Sequence, residues 1–425
     1  MHYAWIVAFT GTLVTILAHG FGRMSYSVIL PSMREGLSLS YTQVGLIGTG
    51  NFIGYLCFAI LGGFLAARFG VRKVVFISLV VIGISLLLTG LSNSFLFAFL
   101  VRLVTGLGNG SAYVPIMALP AAWFVARKRG LGTGIVSGGI GAGLFLSGLI
   151  LPSVIAYFGS DGWRYAWYLM GITVFALSSV CYAFLRNSPA EKGLSIYGGQ
   201  EEAKTGPKVT LFSAWRDIVK EPEIWKLGCV YFMYGFSYII YLTFFVAYLC
   251  KECNLRPADA GRMFAVLGLF SMFCGVVWGY ISDVLGRRYG SLLAYLTLGL
   301  SYVLFAFWQD TVGLYVSAII FGITAWSIPT IMAAASGDAV GGRLAPAGLG
   351  FITLFFGIGQ ALGPALAGLI KDVTGTFTYA FLLSAAVSVI GALVSLVLRK
   401  RLACPSKGRH SLTLPPRMIK LQIRV

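Results

Sequence analysis

Measured from one charged residue to the next, this chain is a succession of long uncharged intervals. Glu35 and Arg68 enclose 32 uncharged residues, Lys73 and Arg102 enclose 28, and Arg129 and Asp161 enclose 31. Further along, Lys226 and Lys251 enclose 24, Arg262 and Asp283 enclose 20, and Arg288 and Asp310 enclose 21. Asp310–Asp338 and Arg343–Lys371 hold 27 each, and Asp372–Arg399 holds 26. A helix needs about 20 residues to cross a hydrocarbon layer ~30 Å thick, so each interval is long enough to span. The segments around Tyr3–Leu30, Phe95–Phe124 and Tyr165–Leu185 bring the count to twelve. Unbroken apolar runs specify helices, because barrel strands would alternate apolar and polar positions. The pattern predicts an all-α membrane protein with twelve transmembrane helices.

A polar stretch from Arg186 to Lys226, with seven basic and six acidic residues, divides the spans six and six. It predicts an N-terminal six-helix bundle over 1–185, a cytoplasmic linker over 186–226, a C-terminal bundle over 227–398 and a basic tail over 399–425. The halves also repeat each other. Gly20-Phe21-Gly22-Arg23 with Tyr26 matches Gly235-Phe236-Ser237-Tyr238 with Tyr241, 215 residues on. Gly63 and Gly70 match Gly279 and Gly286 at an offset of 216, and Gly130-Leu131-Gly132 matches Gly348-Leu349-Gly350 at 218. Such a duplication implies two pseudo-symmetric six-helix bundles related by an axis along the membrane normal, with a ligand site between them near the midplane.

Composition agrees: 58% of the residues are hydrophobic and 11% charged, against roughly 25% charged in soluble domains. The net charge of +18 does not point to nucleic acid, because its distribution follows the spans. Arg68, Arg72, Lys73, Arg127, Lys128, Arg129, Arg287 and Arg288 fall on one side. The last 27 residues hold eight Lys/Arg and no acid. This positive-inside asymmetry predicts a multi-pass protein of the plasma (inner) membrane with both termini cytoplasmic and the tail near anionic lipid. Of the seven cysteines, at 57, 181, 229, 250, 253, 274 and 404, five lie inside spans, where they pack as small apolar groups. Cys250-Lys251-Glu252-Cys253 is a lone CxxC in a chain with three histidines. No metal and no cofactor is expected.

Between the second and third spans lies Gly63-Phe-Leu-Ala-Ala67-Arg68-Phe-Gly70-Val71-Arg72-Lys73; its counterpart is Gly279-Tyr-Ile-Ser-Asp283-Val-Leu-Gly286-Arg287-Arg288. Both resemble the signature loop of the major facilitator superfamily, as Arg102-x3-Gly106-x-Gly108 resembles its fourth-helix motif. The resemblance covers the whole chain and implies a transporter of the major facilitator fold, working by alternating access; a monomer is expected. These loops then act as a conformational latch, with glycines allowing close helix approach and Asp and Arg pairing across the bundle seam in one state. Ala67 and Val71 stand where the family has Asp and, usually, Arg, so the first latch is weakened and the one around Asp283 intact. Trp123-Phe124 before Arg127-Lys-Arg129-Gly130, together with Gly162-Trp163-Arg164, is similar to the monocarboxylate and oxalate/formate branch. Val276 replaces that branch's eighth-span arginine, however. Gly20-Phe-Gly-Arg23-Met-Ser-Tyr26 resembles instead a poorly characterised bacterial subgroup.

All fourteen carboxylates lie in loops or at span ends, whereas His19, Arg23 and Arg102 lie deep in spans. Charges inside a membrane are costly and mark function by default. His19, Arg23 and Tyr26 share one helix face, as do Arg102, Asn109 and Tyr113. Snorkelling of Arg23, a strut role for Arg102 and a merely packed His19 are the competing structural readings. On the seventh span Tyr231, Tyr234, Tyr238, Tyr241, Phe245 and Tyr248 form a stripe whose hydroxyls need protein or water. In the fold the resemblance implies, spans one, four, seven and ten line the cavity; Trp326 and Gln360 are further candidates. The expected substrate site is Arg23, Tyr26, Arg102, Asn109, Tyr113, Tyr238, Tyr241, Trp326 and Gln360, with His19 for proton coupling. An arginine-bearing cavity without carboxylates suits a small organic anion, a carboxylate above all. A multidrug or neutral-metabolite exporter of the same superfamily is the alternative, and a membrane enzyme lacks its acid–base set.

Overall fold

The computed structural model describes residues 2–199, 218–341 and 344–399. The basic tail beyond residue 399 and residues 200–217 of the linker lie outside them. Helices account for nearly everything described; the one extended pairing among these residues is an isolated bridge between Phe124 and Tyr197. The apolar intervals become α1 (Tyr3–Gly36), α2 (Tyr41–Phe69), α3 (Val71–Gly90), α4 (Phe95–Ala118), α5 (Ala126–Phe158) and α6 (Gly162–Phe184). The second set begins with α7 (Pro222–Lys251). Next, α8 joins Pro257–Ser271 to residues 274–285, and α9 runs over residues 287–307. The set closes with α10 (Thr311–Val340), α11 (Ala345–Thr374) and α12 (Thr378–Ser395).

The chain turns between spans where the backbone requires glycine. Lys128–Phe184 is 57 residues of almost continuous helix, about 85 Å at 1.5 Å per residue, and no bilayer accommodates that as one crossing. It breaks at Gly159, with φ +61°. Between α8 and α9 the helix likewise breaks at Gly286, with φ +84°, and Gly70 between α2 and α3 has φ +86°. A side chain is disfavoured in that left-handed region. The repeat in the sequence is therefore also a repeat of turns.

Two symmetric contacts dominate the join between the bundles, α2 against α11 and α5 against α8, and the distal part of α1 also packs on α7. The two symmetric contacts are backbone-close. A Cβ on Gly148 would come within 2.5 Å of the Gly261 carbonyl, and one on Gly45 within 2.2 Å of the Pro364 carbonyl. Small residues give this proximity, and close packing takes over where lipid supplies no hydrophobic drive. At the end remote from the termini, the distal end, charges cross the seam as well. Lys251 pairs with Glu35, and Asp372 accepts from the amides of Tyr41 (2.9 Å) and Thr42 (2.7 Å). A carboxylate of one bundle thus sits at the N-terminus of a helix in the other, where the helix dipole favours it.

Candidate functional site

Midway along α1 the α-helix widens into a π-helix over Ile16–Met24. Gly20 and Gly22 weaken the α-helical preference there. Gly20 also lies directly against Gly143 of α5, so that a Cβ on either would fall about 2.5 Å from the other's Cα (2.5 and 2.4 Å). The wide turn closes with Ser25 N–H on the Gly20 carbonyl, 2.9 Å. At its exit two carbonyls accept from side chains: Phe21 from Ser25 Oγ (2.6 Å) and Gly22 from Arg102 Nη1 (2.8 Å). π-Segments of this kind concentrate at functional sites. Arg102 is thereby a strut across the break, with its guanidinium 5.3 Å from the Tyr26 ring and 5.0 Å from Trp167.

The π-segment carries Arg23 into the seam. One guanidinium nitrogen donates across it to Gln360 Oε1 of α11, 2.7 Å, and Gln360 Nε2 donates onward to Tyr238 Oη of α7. The other nitrogen lies 3.3 Å from His19 Nε2; accepting there leaves the imidazole proton on Nδ1. Phe52 and Tyr55 of α2 present their rings to the guanidinium at 4.5 and 4.4 Å, a cation–π contact that offsets part of its desolvation. His19 packs on Tyr113 with ring centres 4.0 Å apart and the planes tilted by 31°, and Tyr238 stacks on Tyr234 at 4.5 Å with Trp326 at its edge. Among the described residues no ion pair involves Arg23 or Arg102, although both are buried.

The expected residues therefore divide. Arg23, His19, Tyr113, Tyr238, Trp326 and Gln360 form one contiguous group, and Tyr26 and Arg102 lie beside it toward the distal end. Tyr26 donates to the Val44 carbonyl, 2.7 Å. Asn109 is buried next to Gly22, and neither of its amide atoms is hydrogen-bonded among the described residues. Tyr241 bonds Ser317 Oγ at 2.7 Å inside the second bundle, amid Phe305 and Phe321. The seventh-span stripe thus splits, its first three tyrosines stacking with Phe356 and its distal half packing as core. Phe52, Tyr55 and Phe356 were not singled out by the sequence, since an aromatic residue within an apolar run carries no mark of its own.

In this conformation the latch residues make their contacts within each bundle. Gly63 and Gly279 meet only ordinary contacts, at 3.8 and 3.7 Å from a hypothetical Cβ. The glycine requirement sits at Gly70 and Gly286. Arg287 pairs with Asp283 (2.7 Å) and with Asp338 (3.1 Å) of α10, inside one bundle rather than across the seam. In the other bundle, where Ala67 removes the acid, the Arg72 amide donates to Asn187 Oδ1 and its Nε to the Tyr182 carbonyl. Arg68 and Lys73 are exposed, Arg68 lying over Phe69, and Arg288 lies over Tyr289.

A family model described as "Uncharacterised MFS-type transporter YbfB" matches residues 15–396. The chain belongs to that family. This major-facilitator-type transporter is similar to the probable sulfoacetate transporter SauU of Cupriavidus necator, 27% identical over 90% of this chain and 91% of that one. The hexuronate transporter of Bacillus subtilis is 26% identical over 87% and 89% of the two chains, and the cis,cis-muconate transport protein of Acinetobacter baylyi 24% over 89% and 95%. Among solved structures, a bacterial homologue of the human lysosomal transporter Spinster superposes with a TM-score of 0.75 at 15% identity, covering 94% of this chain and 97% of that one. At that identity the likeness bears on the fold alone, and it is the twelve-span major facilitator fold.

Proposed function

We propose that this protein is a secondary active transporter that moves a small organic anion, a carboxylate, through the membrane by alternating access, without chemistry on its cargo. The observation that carries the reading is Arg23: a buried guanidinium on a widened turn between the bundles, bonded across the seam to a neutral amide and paired with no carboxylate among the described residues. A substrate anion is the natural counter-charge for such a group. The relatives named above, for sulfoacetate, hexuronate and muconate, support the same class. On this reading the protein works as a monomer in the plasma (inner) membrane, with the basic loops and both termini cytoplasmic and the distal end outside. Its partners are the anion, the bilayer and a proton taken up at His19. The latch loops, Gly63 to Lys73 and Gly279 to Arg288, guide the switch between the two openings.

Uptake of labelled carboxylates into proteoliposomes, alongside calorimetric binding, tests the central residue. Arg23→Gln should weaken binding by roughly 30-fold or more, because one partner of a buried charge pair is removed. Arg23→Lys should rescue poorly, since the planar fork is lost. Undiminished uptake by well-folded Arg23→Gln protein overturns the assignment.

A further inference from the structure

Just distal to the Arg23–Gln360 bridge, α1, α2, α4 and α7 enclose a small cavity. Arg23, Ser27, Asn51 and Arg102 form one wall, with Leu242 and Thr243 of the second bundle opposite. As it stands it has room for about one water molecule. Four polar atoms of that wall have no hydrogen-bond partner among the described residues: Arg23 Nε, Arg102 Nε, Ser27 Oγ and Asn51 Oδ1. The four residues, in that order, are 5, 1, 2 and 1% exposed. Buried polar groups are nearly always satisfied, so four orphans around one cavity call for a ligand.

The charges say which kind. A guanidinium carries five N–H donors, and among the described residues Arg102 has a hydrogen bond from Nη1 alone, to the Gly22 carbonyl. Arg23 likewise keeps Nε free of a partner. The cavity wall contains two guanidiniums and no carboxylate. The faces of Phe52, Tyr55, Tyr26 and Trp167 offset part of the cost, but they do not neutralise either charge. One anionic group on Arg23 would leave Arg102 uncompensated in the same wall. Two anionic groups on one short molecule would cancel both.

We propose that the substrate is a short dianion whose two acidic groups, carboxylate or sulfonate, are held by Arg23 and Arg102. Ser27 and Asn51 then serve atoms between the two groups. The proposal rests on the reading of Arg23 as the substrate site and sharpens it. Arg102 keeps its strut bond to Gly22 and gives its remaining donors to the second anionic group.

The test uses the purified full-length protein in lipid nanodiscs and isothermal titration at pH 7.5. Succinate, malonate and sulfoacetate are compared with butyrate, propionate and acetate. The wild-type protein should bind the dianions about tenfold or more tightly than monoanions of matching length. Arg102→Gln should bring the two classes to within about twofold of each other while monoanion binding persists. If that variant fails to fold, the wild-type preference decides alone, and Arg102→Lys, which keeps the charge, should retain a preference for dianions. Equal affinity for both classes in the wild type, with each lost in Arg23→Gln, overturns the dianion proposal and leaves Arg23 as an anion site. No binding of either class, with Arg23→Gln indistinguishable from wild type, overturns both.

Discussion

His19 is where residue-scale geometry makes its sharpest demand. Its Nε2 accepts from Arg23, so a proton placed on that nitrogen would break the bond and set two cations against each other. On the proposed function, an anion held by Arg23 would offset that repulsion, and proton and anion would then bind with positive coupling. Coupling is reciprocal, so acid pH should raise anion affinity. Titrating affinity against pH in wild type and His19→Gln measures this; the variant should lose the acid-side gain, and matching pH profiles would remove His19 from the mechanism. Arg23 and His19 were legible in the sequence because a basic group in a long uncharged interval stands out without any structure. What each touches was not. Gln360 lies 337 residues from Arg23, and only the crossing of α1 with α11 brings the two together. Tyr238 and Tyr241 share one stripe by spacing, yet one faces the seam and the other is core, a distinction made by the neighbours and not by the period.

At the scale of elements, the apolar intervals and the glycine repeat were enough to place the spans and their turns. They did not reveal the π-segment, because a π-turn leaves no periodic signature over nine residues. Nor could they tell which glycines are packed. Gly20 and Gly143 oppose each other backbone to backbone, whereas Gly130, Gly134 and Gly138, on the same α5, have nothing within 4 Å of where a Cβ would stand. Gly20→Ala must push α1 from α5 and should destabilise the protein by about 1–3 kcal/mol, as overpacking does. Gly134→Ala should leave the unfolding temperature in detergent unchanged. If both variants melt together, the close approach of α1 and α5 is not a determinant of stability.

For the whole molecule, the distal cross-bundle pairs hold that end shut. Lys251 bonds Glu35 and Asp372 caps α2, while Lys371, next to Asp372, bonds Glu252 of its own bundle at 2.6 Å. Lys251→Glu sets two like charges together and should shift the population toward a distal opening. A single cysteine at Thr243, buried in the cavity wall, reports this in a background without the native cysteines. Its labelling by a water-soluble maleimide should accelerate in Lys251→Glu and slow again when Glu35→Lys is added. Acceleration that the charge swap fails to reverse would mean the pair is incidental to the seal.

The bond between Gln360 and Arg23 has one consequence for the direction and stoichiometry of flux. A carrier that must turn over without cargo has to pass its binding charge through a sealed, apolar seam, and a bare guanidinium there would stall the return. Here an uncharged amide is on hand to take the guanidinium's donor at 2.7 Å whenever no anion does. On the proposed function the unloaded carrier can therefore reorient, and the expected behaviour is net uptake rather than obligatory one-for-one exchange. Gln360→Leu withdraws the stand-in. Its uptake into vesicles that start without substrate should fall well below that of the wild type, while exchange into preloaded vesicles continues. Equal loss of both rates would show that the amide serves the cargo-bound form instead.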